Sequence, residues 1–259
     1  MGGRGKQDNI VQSVMRAVDI LEAFERRKGE LGVSDLAREL GLHKSTVYGI
    51  LNTLAQRGLV EQVASTGKYQ LGIRLFEMGH RIIEEMDFQS LAAPIMESLV
   101  DKYEETCHLV VRNGPDVVYV EKRESARSVR IASKVGTRLP CYCTGVGKAL
   151  LAEMSDDEVH ELYKGKQLKA FTSSTMTDME LLKGSLRKIR EQGYAEDYGE
   201  FDESVRCVSA VVKDHTGRPV AAISLSGPAL RMDETRMREM ALAVREAAER
   251  LSRQLGGRR

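Results

Sequence analysis

Two short apolar-periodic segments around one glycine, VSDLAREL and then HKSTVYGILNTLA, constrain this 259-residue chain more than any other stretch. The spacing predicts a helix over Val33–Leu40 with Ser34 as its cap, and a tight turn at Gly41. A second helix is expected from Ser45 to Arg57, stopped by Gly58. On that second helix Val47, Ile50, Leu51 and Leu54 share one face and point inward. Lys44, Ser45, Thr46, Tyr48 and Asn52 are left outside, and no carboxylate follows until Glu61. A face of one cation, two hydroxyls, a phenol and an amide suits phosphate oxygens and base edges. The arrangement is that of a helix-turn-helix whose second helix enters a DNA groove, although two amphipathic helices around a glycine occur in many folds.

The flanks extend this module. Ser13–Arg26 carries Val14, Val18, Leu21 and Phe24 at helical spacing and is expected to close a three-helix bundle. After Gly58 the residues alternate and turn at Ser65–Lys68, which reads as a wing with Lys68 and Tyr69 near its tip, placed to meet backbone phosphate. A linking helix from Leu75 to Met86, with Ile73, Phe76, Ile82 and Ile83 as its apolar residues, comes next. Then follows a helix over Phe88–Tyr103 interrupted by Pro94. The expected organisation is a disordered tail at 1–9, a winged helix-turn-helix at 10–73, a linker helix at 74–87 and a second domain at 88–259.

Charge supports this division weakly. The net charge is only +1, but residues 1–74 hold 11 Lys+Arg against 8 Asp+Glu, and the remainder 28 against 30. That is the sign a nucleic-acid module needs. No apolar run approaches the roughly 18 residues of a membrane helix, and MGGRGKQDN has no signal-peptide core. Four cysteines without a framework of spacings fit a reducing compartment, so a cytoplasmic location is expected.

The second half alternates strands and helices. Cys107–Arg112 and Val117–Glu121 form a hairpin across Asn113-Gly114, with Val129–Ser133 as a third strand. Helices are expected near Thr144, at Ser155 and at Thr177, the last two with capping boxes. Arg206–Lys213 pairs with Pro219–Leu225, and Asp233 opens a long final helix. An antiparallel sheet flanked by helices is α+β.

Candidate chemistry gathers at strand and helix ends. Thr144-Gly145-Val146-Gly147-Lys148 leads into a helix whose first amides could receive a carboxylate at Gly145 and Val146. The same glycines would serve plain close packing, and the spacing is not that of a nucleotide-binding loop. Ser224 and Ser226, two apart on a strand, face one way, and Cys207 lies on the partner strand. Cys141 and Cys143, with Cys107, His108 and Cys207, raise the alternative of a metal- or redox-responsive protein, although one-residue spacing is a poor match to structural zinc. Cys207 with His215 or His160 as base raises a cysteine-dependent enzyme, but no nucleophile elbow accompanies it. No cofactor, metal or catalytic residue is expected.

In order along the chain, SVMRAVDILEAF, ELGVSDLARELGLHKSTVYGILNTLAQRGLVEQ, TGKYQLGIRLFEMG, GTRLPCYCTGVGKALLA, YAEDYGEFDESVRCVSAVV and GRPVAAISLSGP resemble the IclR (isocitrate lyase regulator) family of bacterial transcription factors. The resemblance runs from about Ser13 to Leu255. It implies a winged helix-turn-helix that binds operator DNA through Lys44, Ser45, Thr46, Tyr48, Asn52 and Lys68, and a GAF/PAS-like effector-binding domain. By the same resemblance a small organic acid would be held by Gly145, Val146, Asp197, Cys207, Ser224 and Ser226, with Ile131 as an apolar wall. The register of Asp197 is open within the acidic stretch Glu196–Glu203. Homodimers or homotetramers are implied as well. One departure stands out: Gly49 occupies a recognition-helix position that commonly carries arginine in the family.

Overall fold

The computed structural model describes residues 10–256 except 28, 86–87, 129–130 and 132, and of His80 and 82–85 the backbone only. The tail expected at 1–9 and the side chains of Ile82 and Ile83 lie outside the described residues. Contacts divide the chain into two compact units, the first ending and the second beginning between residues 85 and 88.

The first unit contains α1 (Gln12–Arg27), α2 (Val33–Leu40), α3 (Lys44–Gln56), strands β1 (Val60–Gln62) and β2 (Tyr69–Leu71), and α4 (Arg74–Glu85). Gly41 ends α2 in the left-handed conformation at φ 63°, which only glycine adopts freely, so the turn into α3 falls where the sequence places it. The cap of α2 differs from expectation. The Gly32 N–H donates to the Asp35 carboxylate at 3.2 Å, and Ser34 is already inside the helix. Val47, Leu51 and Leu54 of α3 pack with Ile20, Ala23 and Phe24 of α1, Leu36 and Ala37 of α2, and Val60 and Tyr69 of the ribbon.

Two expectations fail here. Val14 and Val18 do not enter the bundle; they are 61% and 47% exposed, beside exposed Ile10, Val11 and Met15. Helix α1 carries two apolar stripes, and the one built on Ile20 and Phe24, an i,i+4 pair, faces inward. Tyr69 is buried in the core, so Lys68 alone represents the pair on the surface of the wing. The ribbon is extended by Leu31, whose N–H donates to the Tyr69 carbonyl and whose carbonyl accepts from the Tyr69 N–H, both at 2.9 Å.

The second unit is an α+β layer structure. Its strands are β3 (Thr106–Asn113), β4 (Asp116–Arg123), β5 (Arg138–Pro140), β6 (Ala195–Asp197), β7 (Val205–Lys213) and β8 (Pro219–Pro228), hydrogen-bonded in the order β5-β4-β3-β8-β7-β6, with every pair antiparallel. Its helices are α5 (Phe88–Tyr103), α6 (Gly145–Ala152), α7 (Asp156–Tyr163), α8 (Met179–Gln192) and α9 (Glu234–Gln254). Val110, Val211 and Ala222 face α6, while α5 and α9 lie against β3, β7 and β8. Strand alternation turns Leu109, Ile223 and Leu225 away from α6.

The third strand expected at Val129–Ser133 falls partly outside the described residues, and Ile131 and Ser133 are not in a strand. The strand beside β4 is instead β5. Ser155 caps α7 with the expected capping box, but α8 is capped by Asp178, one residue later than Thr177, because the Asp178 carboxylate accepts from the Glu180 and Leu181 amides at 2.8 and 3.0 Å. Among the described residues no helix is long and apolar enough to cross a membrane.

Candidate functional site

Helix α3 presents the first candidate surface. Lys44, Ser45, Tyr48 and Asn52 are exposed and Thr46 half-buried, all on the face away from Val47, Leu51 and Leu54. No side chain caps the helix start and no acid lies in its first turn, so its first amides and positive dipole end are open to an anion. Lys68 stands exposed on the wing, where the Gln62 side-chain amide donates to the Gly67 carbonyl at 2.9 Å and tightens the turn. A Cβ built on Gly49 meets nothing within 4 Å, so this position also borders open space.

The second candidate is a cavity of about 800 Å³ in the sheet unit. Ile131, Gly145, Val146, Asp197, Cys207, Ser224 and Ser226, singled out from five separate stretches of sequence, all line it. Register explains how. Cys207 pairs with Ser226 and with Asp197, Ser224 pairs with His108 and Ser209, and directly opposed residues of an antiparallel pair share a face. One end of that face is apolar and covered by α6; the other is polar and opens into the cavity. Gly145 lets the start of α6 approach the sheet, since an added Cβ would lie 2.8 Å from Ser209 Oγ and 3.4 Å from the Asp197 Cβ.

The amides at the start of α6 are partly used. The Gly147 N–H donates to Thr144 Oγ1 at 3.2 Å, and the Gly145 N–H is directed at the Asp197 carboxylate. The Val146 amide is the remaining donor of that turn on the cavity side. Asp197 is itself a buried carboxyl. Burial pushes its carboxyl up, opposed by Lys148 and by amides that donate to it, including those of Gly199 at 3.0 Å and Glu200 at 2.8 Å. Among the described residues no lysine or arginine lines the cavity, and Asp197, Asp202 and Glu203 do.

Sequence reasoning did not place Lys148, Glu200, His108 or Tyr119 at this site. Lys148 is buried and ion-paired to buried Glu200, and its Nζ also donates to the Glu196 carbonyl at 2.8 Å. Burial raises the Glu200 carboxyl to about 7 even with Lys148 opposing. The signal was present: a helix apolar all round, GVGKALLA, must be buried, and its one lysine then needs a carboxylate. His108 and Tyr119 also line the cavity, ring edge to ring face at 5.1 Å. The alternation of Thr106, His108 and Val110 along β3 marked His108 as sharing the face of Ser224.

The cysteine alternatives find little support. Burial pushes the Cys141 and Cys143 thiols up to about 12 and those of Cys107 and Cys207 up as well, so all four stay protonated at neutral pH. Thiolates, not thiols, attack carbon, and among the described residues no three His, Cys, Asp or Glu side chains stand together as a metal site. Neither His160 nor His215 lines the cavity that Cys207 faces.

Comparison with known proteins assigns both units to one family. The IclR helix-turn-helix domain matches residues 13–64, and the bacterial transcriptional regulator IclR C-terminal domain matches residues 80–253. The chain is 37% identical over 247 residues to the HTH-type transcriptional regulator XynR of Escherichia coli strain K12, covering 95% of this chain and 98% of that protein. Among solved structures, Thermotoga maritima IclR superposes with a TM-score of 0.78 at 31% identity, covering 95% of this chain and 99% of that one. An IclR homolog from Microbacterium hydrocarbonoxydans, crystallised with 4-hydroxybenzoate, gives 0.81 at 26% identity over 94% and 98%. With both of its domains matched by that family's models and almost its whole length matched by transcriptional regulators, the chain is a DNA-binding member of the IclR family of transcriptional regulators.

Proposed function

We propose that the cavity takes a small organic acid and that its occupancy alters how the 10–73 module grips an operator in the cytoplasm. The observation that carries this reading is the convergence of Val146, Cys207, Ser224 and Ser226 on one enclosed face beside a helix start. Neutral donors and a positive dipole end offset the desolvation of an anion. The Gly145 amide is shared with Asp197, whose other oxygen accepts from a ligand hydroxyl or a water, and Ile131 forms an apolar wall. The homolog crystallised with 4-hydroxybenzoate supports a carboxylate ligand.

Lys44 and Lys68 serve as phosphate contacts, and Ser45, Thr46, Tyr48 and Asn52 face base edges. One such module holds too few cations for tight binding, and palindromic half-sites need two. The exposed Val11, Val14, Met15 and Val18 stripe of α1 supports pairing of modules in a homodimer or homotetramer. The ligand shifts the equilibrium only as far as it prefers one disposition of the modules.

The test is a thermal-shift screen of organic acids, followed by calorimetry of the best acid on the wild type, Ser224→Ala and Ser226→Ala. Each variant is expected to lose roughly 5- to 150-fold in affinity, about 1–3 kcal/mol per hydrogen bond to a charged group, with ligand-free DNA binding unchanged. Unchanged acid affinity in both variants would place the effector elsewhere.

A further inference from the structure

His108 is 2% exposed yet borders the cavity, and its ring joins two other cavity residues. Nε2 lies 2.6 Å from Ser133 Oγ, and Nδ1 lies 3.4 Å from Ser226 Oγ. Lys122 stands in register with His108 on β4. Its Nζ donates to the Ser133 carbonyl at 2.6 Å and the Ile131 carbonyl at 3.1 Å, and pairs with Glu124 at 2.7 Å. Burial, with the Lys122 ammonium beside it, pushes the imidazole down to about 3, so the ring is neutral at any physiological pH.

A neutral imidazole has one N–H and one lone pair. Of the two serine hydroxyls, one therefore accepts from the ring and keeps its own hydrogen free. The other donates to the ring and keeps its lone pairs free. Ser226 also hydrogen-bonds the Cys207 thiol, a weak partner that a ligand oxygen displaces, so in either tautomer the pair offers a ligand one donor and one acceptor. A ligand hydroxyl, which both donates and accepts, satisfies both. A carboxylate only accepts, so it meets one donor and one oxygen that repels it. An imidazolium would release both hydroxyl hydrogens and turn the same wall into an anion site. The rest of the lining points the same way, since Asp197, Asp202 and Glu203 line the cavity and, among the described residues, no lysine or arginine does.

We propose that His108 is a specificity-determining residue of this cavity, setting Ser133 and Ser226 as a donor–acceptor pair that selects an effector by a hydroxyl group and turns away a second carboxylate. The inference rests on the effector reading of the cavity given above.

The test uses the full chain and three probes of equal carbon count: gluconate, hexanoate and the dicarboxylate adipate. Calorimetry of the wild type is expected to show gluconate bound at least about tenfold tighter than the other two. His108→Phe is expected to lose about 10- to 100-fold for gluconate and to leave hexanoate within about threefold, one or two hydrogen bonds being lost. His108→Gln, which keeps a donor and an acceptor on one planar group, is expected to restore most of the preference. Thermal melts of both variants check that they fold, and nitrogen NMR of His108 is expected to show a neutral ring at pH 7 that shifts on gluconate addition. An unchanged preference in His108→Phe, a protonated ring, or a wild type that prefers adipate overturns the proposal. If gluconate fails to bind while an acid without hydroxyls binds in a Ser224-dependent way, hydroxyl selection is wrong and the effector reading stands. If no acid depends on Ser224, the effector reading itself falls.

Discussion

Glu105 and Arg231 form one bidentate pair, yet removing either partner should not cost the same. The Arg231 Nε and Nη2 donate to the two Glu105 oxygens at 2.8 and 2.7 Å, and the Arg236 Nη2 stands 3.5 Å from Oε1. The Glu105 side chain is 1% exposed, whereas those of Arg231 and Arg236 are 23% and 33% exposed. Arg231→Met therefore leaves a carboxylate that water cannot reach with only the 3.5 Å contact to Arg236, and the expected loss is that of a broken buried pair, about 3–5 kcal/mol. Glu105→Gln leaves two guanidiniums that already touch solvent. Its loss is expected at about 1–2 kcal/mol, the lower part of the range for charge-assisted hydrogen bonds. For a unit of this size, at roughly 2–4 °C per kcal/mol, that is a fall in Tm of about 6–20 °C against about 2–8 °C. Scanning calorimetry of the full chain reads both. The double variant Glu105→Leu/Arg231→Met should recover much of the larger loss, because an apolar replacement carries no stranded charge. Equal losses in the single variants, or a double variant that costs their sum, would refute the reasoning.

Four shorter tests address the rest of the molecule. Gly49→Ala should raise the stability of the first unit by about 1 kcal/mol, since the added Cβ meets nothing within 4 Å and alanine favours helix; a fall in its melting temperature counts against this. Gly72→Ala should abolish operator binding and leave the acid-dependent melting shift intact, because its Cβ would sit 2.1 Å from the Gly58 carbonyl oxygen across the wing; retained DNA affinity counts against it. Lys44→Ala should weaken binding to all sequences alike and lower the salt slope by about 0.9, read by titrations at several salt concentrations. Glu200 is held above its ordinary range by burial, so its contribution to stability is full below that range and is lost as pH rises through about 7. Unfolding free energy should therefore fall between about pH 4.5 and 7, with a flatter slope in Lys148→Met/Glu200→Met, and a Glu200 carboxyl titrating near 4 by carbon NMR would contradict it.

Legibility in the sequence followed how local each constraint was. The turn at Gly41, the start of α7 at Ser155 and the inward face of α3 follow from neighbours within four residues, and they stand where the pattern puts them. Periodicity could not tell which of the two apolar stripes of α1 faces inward, because that choice depends on Leu36 and Leu51 from other helices. The cap expected at Thr177 gave way to Asp178, a competition between adjacent oxygens that spacing leaves undecided, and the one at Ser34 to Gly32, whose N–H the Asp35 carboxylate receives. Ser224 and Ser226 were marked by motif, and strand pairing then brought Cys207 beside them. His108 was hidden because its meaning comes from a partner more than a hundred residues away, Ser226.

Alternation along β8 has an evolutionary consequence. Ser224 and Ser226 face the cavity, while Ile223 and Leu225 between them are fully buried on the other side of the sheet. Substitutions at Ser224 and Ser226 can retune what the wall accepts without repacking the core, and substitutions at Ile223 and Leu225 threaten the fold without touching ligand choice. Along these four residues the two kinds of change are separable by parity. A lineage carrying this strand can wander among effectors by single steps, each judged by what it binds and not by whether the protein still folds.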